Sequence, residues 1–292
     1  MTEAAAFRLD RAGIRAAFDR ASATYESAAG LQAQVAQELL GRLDTFGLSP
    51  RVVLDLGAGT GRTTRELKRR YPRATVIALD LAPGMLREAN RHQFRWRRFE
   101  RVCADAQRLP LAGATVDLMF SSLMLQWCEP LDAAFAEVRR VLKAGGFFAF
   151  STFGPATLSE LRSAWAQADG YNHVNHFIDV HDVGAALMRA GLTEPVLDVD
   201  RIEVDYPDAR TLMRDLKCIG AHNVTAGRAR ALTGRTRLAR MESAYEAYRR
   251  DGSLPATYEV IYGASWGGSA AHRAAPGETV IDAGSIRRAV RP

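Results

Sequence analysis

Three carboxylates in the first half of the chain stand where short apolar runs end. Asp55 lies in Val52-Val53-Leu54-Asp55-Leu56, Asp80 closes Thr75-Val76-Ile77-Ala78-Leu79-Asp80, and Asp105 follows Arg101-Val102-Cys103-Ala104. The first run leads into Gly57-Ala58-Gly59-Thr60-Gly61, and a helical pattern from Thr63 to Tyr71 follows at once, stopped by Pro72. Glycines between a strand and a helix let the backbone turn tightly and approach a ligand, with the N-terminal amides of the helix facing it. A nucleotide-like ligand is implied. The dinucleotide loop G-x-G-x-x-G would need glycine at position 62, which is Arg62, so the spacing is G-x-G-x-G.

That spacing resembles the loop of class I S-adenosylmethionine methyltransferases, whose cofactor has an amino acid end, a ribose diol and an adenine but no pyrophosphate. Acids at strand ends suit those groups. Asp80 can accept both ribose hydroxyls, Asp105 is placed for the adenine amino group between Ala104 and Ala106, and Asp55 either orders the loop or meets the ammonium end. Gly57, Ala58, Gly59 and Gly61 form the cradle, Leu81 adjoins the ribose acid, Met85 packs beneath the adenine, and Ser121 faces the methyl-transfer side. One such acid alone is an ordinary turn former or helix cap. Three in register with one loop indicate cofactor binding.

Positioning these residues requires a parallel sheet. Between Pro50 and Phe153 short β-branched runs alternate with helical ones, the pattern of βαβ units. Right-handed crossovers then dictate an α/β fold with a doubly wound, mostly parallel seven-stranded sheet. Its last strands are Val196 to Tyr206 and Thr257 to Gly263, with the helical stretch from Asp208 to Arg250 inserted before the final one. The expected organisation is an N-terminal helical lid (1–45), a methyltransferase core (46–206), an inserted helical cap (207–254), the last core strand (255–266) and a tail expected to be disordered (267–292).

Composition narrows the function classes. The chain has 292 residues, 47% of them hydrophobic, and a net charge of +6, which suits a globular enzyme with an acidic partner better than a nucleic-acid binder. No apolar stretch approaches the roughly 18 residues of a spanning helix, and the first thirty residues mix charges with apolar residues, unlike a signal peptide. A cytoplasmic protein without membrane attachment is expected. Cys103, Cys128 and Cys218 form no C-x-x-C pair and read as inert thiols, while His173, His176 and His181 lack matching acid or cysteine ligands, so no metal is expected.

Further motifs carry a closer resemblance. They are Phe18-Asp19-Arg20-Ala21 with Tyr25, Leu125-Gln126-Trp127-Cys128, Leu158-x-Glu160-Leu161-x-x-x-Trp165, His173-x-x-His176-Phe177, Leu216-Lys217-x-Ile219-Gly220-Ala221 with Asn223, and Thr257-Tyr258. Together they resemble the malonyl-acyl-carrier-protein O-methyltransferases of early biotin synthesis, from about Ile14 to Ala264. The resemblance implies methylation of the free carboxyl of a malonyl thioester on acyl carrier protein, which hides its charge from fatty acid synthesis. A carboxylate is ionised near neutral pH and needs no general base. Tyr25 and Trp127 are expected to wall the acceptor, with Arg214 and Lys217, one turn apart, as candidate cations for its charge.

An acidic carrier would seek Arg228, Arg230, Arg235, Arg237 and Arg240, a stretch without acids, or else the six arginines between Arg87 and Arg101. Two other readings share the fold: an assembly factor that hydroxylates an arginine of a partner protein, and a methyltransferase of small free acids, for which an inserted arginine-rich cap would be needless.

Overall fold

A computed structural model describes residues 9–221, 223 and 233–268. Seven strands form one sheet: β1 Val52–Leu56, β2 Thr75–Asp80, β3 Glu100–Cys103, β4 Val116–Ser122, β5 Leu142–Phe153, β6 Thr193–Tyr206 and β7 Leu254–Trp266. Their order is β3-β2-β1-β4-β5-β7-β6, with β7 antiparallel to both neighbours. After β1 the chain winds outward through β2 and β3, then crosses back to β4. At that reversal the connections leave on opposite faces, which opens a crevice beyond the carboxyl ends of β1 and β4.

Alternation along the strands supplies two cores. Val53, Phe120, Phe147 and Ala149 pack on one face, while Leu54, Leu56, Met119, Phe148 and Phe150 pack on the other. These strands are buried on both sides, which is why their sequences read as continuous apolar runs. The connection into β5 is irregular, although the glycine pair Gly145-Gly146 reads in the sequence as a turn before a strand from Phe147 to Thr152. The strand begins at Leu142, before the glycine pair, and the β4–β5 register shifts between Val116 and Leu118, which pair with Leu142 and Phe147. Gly145, at φ 71°, takes up the extra residues in that irregularity.

The helices are α1 Arg11–Ala21, α2 Tyr25–Ala28, α3 Gly30–Arg42, α4 Arg62–Arg70, α5 Pro83–Arg91, α6 Leu131–Val141, α7 Ser159–Ala168, α8 Val180–Arg189, α9 Ala209–Cys218 and α10 Arg235–Glu246. The N-terminal region, which its periodicity suggests is one helical run, breaks at Ser22–Thr24 and at Ala29. There the hydroxyls of Ser22 and Ser27 donate to the carbonyls of Asp19 and Thr24, at 2.9 and 2.7 Å. Such local bonds compete with helix continuation. The break sets Tyr25 and Glu26 on their own short helix above the glycine loop.

Motifs far apart in sequence meet in the fold. The Glu160 carboxylate of α7 accepts from the amide and hydroxyl of Thr257 on β7, while Thr157 donates its hydroxyl to the Glu259 carbonyl at 3.0 Å. His173 stacks on Trp165 with ring centroids 3.7 Å apart and planes at 9°. The end of α9 abuts α1, where Thr24 Oγ1 donates to the Cys218 carbonyl at 3.0 Å. Gly220, at φ 75°, passes so close that a Cβ there would sit 3.2 Å from both Ala21 and Phe18. The expected tail from 269 on lies outside the described residues, as do Arg228 and Arg230.

Candidate active site

The crevice beyond β1 and β4 holds a narrow groove of about 100 Å³, lined by Gly57, Gly59, Asp80, Leu81, Met85, Ala104, Asp105 and Ala106. Asp80 shapes it. One of its carboxylate oxygens accepts the Gly59 amide at 2.9 Å and the other the Ala82 amide at 2.8 Å, so a single side chain pins the glycine loop to the turn after β2. Each oxygen keeps a further lone pair for a ligand hydroxyl. Asp105 accepts the Gln107 amide at 2.8 Å and pairs with Arg11 at 3.1 Å, which draws α1 across that end of the groove. Neither Arg11 nor Gln107 carries a local sequence signal for this role.

Gly59 and Gly61 both have positive φ but serve different ends. A Cβ on Gly59, at φ 55°, would meet nothing within 4 Å and would project into open space in the cradle. A Cβ on Gly61, at φ 76°, would sit 2.8 Å from the Ala89 Cβ, so this glycine lets α4 pack on α5. Gly61 is not among the residues that line the groove or the recess beside it.

Ser121 is expected from the sequence to face the methyl-transfer side. It is fully buried and donates its hydroxyl to the Leu56 carbonyl at 2.9 Å, while its neighbour Ser122 lines the groove. Strand parity explains the exchange, since successive side chains face opposite sides of the sheet.

Next to the groove, Ala58, Gly59, Thr60, Asp55, Glu26, Gln32 and Tyr25 enclose a smaller recess. Asp55 is buried and accepts the Thr64 hydroxyl at 2.5 Å. Burial pushes its carboxyl up to about 7, Thr64 offsets part of that, and the Asp80 charge adds to it. Burial likewise raises Asp80, against the pull of the Ala82 and Gly59 amides. Gln32 adds a buried side-chain oxygen with no hydrogen-bond partner. Asp55, Glu26 and an orphaned acceptor outnumber the positive charge lining the recess, where Arg62 pairs with Glu26 at 3.8 Å, and Asp80 adds its charge from the adjoining groove. The ammonium and sulfonium of S-adenosylmethionine fit that deficit. Glu26 closes the recess, accepting from Thr60 Oγ1 at 2.8 Å and pairing with Arg65 at 3.3 Å.

On the far side lies a cavity of about 870 Å³. It meets the groove at Phe18, Tyr25, Leu123 and Trp127, which line both. Phe18 and Trp127 stand edge to face, with centroids 5.2 Å apart. Tyr25 also borders the Asp55 recess, and its hydroxyl is held neutral, first by burial and then by the Asp80 charge. Arg214 and Lys217 line the cavity but not the groove, and both are exposed.

His173 and Asn175 form part of the cavity wall, and His173 Nε2 lies 2.8 Å from Asp169. His176 and His181 do not line the cavity. Among the described residues, no three His, Cys, Asp or Glu side chains converge as metal ligands. Cys128 is buried, and its thiol is pushed up to about 12 by burial and by Asp105, with Arg11 in opposition, so it stays protonated.

Residues 54–150 match the model of the family described as "Methyltransferase domain". The chain is 51% identical over 274 residues to the malonyl-[acyl-carrier protein] O-methyltransferase of Laribacter hongkongensis, covering 91% of this chain and 92% of that one. To the enzyme of the same name from Methylovorus sp. it is 50% identical over 267 residues, covering 89% and 90%. The chain belongs to the malonyl-acyl-carrier-protein O-methyltransferase family. In fold it is similar to phosphoethanolamine N-methyltransferase 2 of Haemonchus contortus, solved in complex with S-adenosyl-L-methionine, with TM-score 0.53, 16% identity and coverage of 86% of this chain and 57% of that one.

Two predictions follow from the donor half. Gly59→Ala should lower S-adenosylmethionine affinity roughly ten- to hundredfold, because a methyl group in a filled site costs about 1–3 kcal/mol. Its stability should fall only by the roughly 1–2 kcal/mol of a left-handed alanine. Gly61→Ala should reverse the pattern, with the larger loss in denaturation midpoint. Calorimetry and urea unfolding check both.

The second concerns pH. Between the ordinary carboxyl value of about 4 and the folded value of about 7, the folded protein keeps a proton on Asp55 that the unfolded chain has released. Its contribution to stability is therefore greatest below about pH 4 and is lost as pH climbs to about 7. A bound cation favours the ionised form, so binding at pH 6 should release protons and tighten as pH rises through 7. Titration calorimetry in buffers of different ionisation enthalpy measures that release. Its absence in the wild type, or persistence in Asp55→Asn, would contradict the role of Asp55.

Proposed function

We propose that this protein transfers the methyl group of S-adenosylmethionine to the free carboxylate of a malonyl thioester on acyl carrier protein. The resulting methyl ester is the disguised primer of biotin synthesis. One observation carries the reading: an anion-rich groove and a large cavity that, among the described residues, has no acid in its lining meet at one narrow junction. The cofactor, when bound, supplies an electrophilic methyl on a sulfonium. Asp80 holds the ribose, Asp105 the adenine, and Asp55 with Gln32 the ammonium end.

In this reading α1 and α2 act as a lid. Their Arg11–Asp105 and Glu26–Arg65 pairs clamp it down, and the Asp19 carboxylate accepts the Gly84 amide at the start of α5. The groove is smaller than the roughly 300 Å³ at which small-molecule sites begin, so α1 lifts to admit the cofactor. Tyr25 donates its hydroxyl to one carboxylate oxygen and leaves the other aligned on the methyl. Phe18, Leu123 and Trp127 exclude water. Opposite charges disappear as the methyl moves, so an apolar junction favours the transition state over the charged reactants.

The acidic carrier docks on the cap arginines. Arg235 and Arg240 are exposed, and Arg237 lies 3.6 Å from Asp169, close to the cavity wall. The rival cluster starts at Arg87, which is already paired with Asp19 at 3.5 Å, and runs down α5 to Arg101 on the edge strand β3, none of it lining the cavity.

Incubation with malonyl-acyl carrier protein and S-adenosylmethionine should yield the malonyl methyl ester by mass spectrometry, with far slower turnover of free malonate. Methyl transfer to free acids alone, or to neither, would overturn the assignment. Tyr25→Phe should lower kcat/KM about tenfold, as loss of one hydrogen bond to a charged group implies. Tyr25→Ala, which opens the junction to water, should lower it at least roughly hundredfold. Equal effects of the two substitutions would remove the hydroxyl from the mechanism.

A further inference from the structure

We propose that the mouth of the cavity carries a second anion site, formed by Arg20, Arg214 and Lys217, that binds the phosphate of the arm on which the malonyl thioester is carried. The carboxylate to be methylated lies apart from it, at Tyr25. The proposal rests on the malonyl-carrier reading and deepens it. The prosthetic arm of a carrier protein is a chain of methylenes and amides with the thioester at one end and a phosphodiester at the other, so the substrate is an anion at both ends.

The three cations belong to one seam. Arg20 lies one turn before Thr24, whose hydroxyl donates to the carbonyl of Cys218, and Lys217 immediately precedes Cys218. Arg214 is one turn further back on α9, on the same helix face. All three line the cavity, none lines the cofactor groove, and all are exposed. Their side chains make no hydrogen bond or ion pair with any described residue. Of the neighbouring acids, Asp19 is held by Gly84 and Arg87, Glu26 by Thr60 and Arg65, and Asp208, whose charge Arg214 helps to steady, by the Thr211 amide at 2.8 Å, while Asp215, between the two cations on α9, does not line the cavity and bears on the Tyr206 and Tyr258 hydroxyls. No Asp or Glu lines the cavity among the described residues.

Size and reactivity both argue for two sites. At 870 Å³ the cavity is in the range that houses drug-sized molecules and far exceeds a three-carbon acid. A guanidinium paired tightly with the malonyl carboxylate would hold the negative charge that the reaction must consume, and would favour reactant over transition state. A cation at the mouth, on a group that keeps its charge throughout, contributes binding without that penalty. Between the two ends, Asn175 sits in the wall at 8% exposure, and its side-chain oxygen has no hydrogen-bond partner. Burying such an atom unmet is costly, and an arm bearing amides can meet it.

The test compares malonyl-pantetheine with malonyl-4′-phosphopantetheine, which differ only in the phosphate. Wild-type protein should show a KM roughly tenfold lower for the phosphorylated thioester, in keeping with a few exposed ion pairs. Arg214→Ala/Lys217→Ala, and separately Arg20→Ala, should narrow that gap with kcat little changed. Binding of 4′-phosphopantetheine itself by calorimetry should weaken in parallel, with circular dichroism confirming the fold. An equal KM for both thioesters in the wild type, or an undiminished gap in the variants, overturns the proposal and leaves the methyltransferase reading standing. So does a loss of kcat shared by both substrates, which would return these cations to the carboxylate. Methylation of neither thioester by wild-type protein that methylates malonyl-acyl carrier protein overturns the proposal alone, and methylation of none of the three overturns both.

Discussion

Asp80 is the constraint on which the donor half of the site depends. Its two oxygens accept one amide from the glycine loop and one from the turn after β2, so the cradle and the floor of the groove are held by the same carboxylate. Burial beside Asp55 makes that arrangement expensive, because the two carboxylates face each other across the adjoining groove and recess, and Arg62, which lines the recess, already pairs with Glu26. Strain of this kind is relieved by a positive ligand. The neutral hydroxyl of Tyr25 and the lid acid Glu26, already committed to Thr60 and Arg65, are arranged around that unmet charge.

Charge is thereby sorted into two compartments. The groove side is rich in acids, while the cavity side has none among the described residues and presents cations at its mouth. In the proposed reading each reactant is attracted to its own side, and the two meet where the lining turns apolar at Phe18, Leu123 and Trp127. No base is needed there, since an ionised carboxylate is already the nucleophile. What the fold contributes is alignment and dryness, which the packing of α9 against α1 over the junction provides.

The sheet and the donor site were legible in the sequence because both are local. Strands buried on two faces read as apolar runs, and the glycine spacing places the loop within one residue. Legibility ended where a side chain's role depends on parity or on distant partners. Ser121 and Ser122 exchange places because one residue along a strand inverts direction. Gly61 looks like its neighbours in the loop until Ala89 of α5 is brought against it. Arg11, Glu26, Gln32 and Asn175 have no pattern around them at all, and tertiary packing alone carries them to the site. The paired motifs, Glu160 with Thr257 and Trp165 with His173, could be quoted from the sequence, but their contact could not.

A crystal structure with S-adenosylhomocysteine and a non-hydrolysable malonyl-phosphopantetheine analogue tests the central claim most directly. The account predicts the cofactor sulfur and the malonyl carboxylate facing each other across the Phe18, Tyr25, Leu123 and Trp127 junction, with Asp80 on the ribose. A carboxylate held instead at the mouth by Arg214 and Lys217, or a cofactor bound away from Asp80, would contradict it.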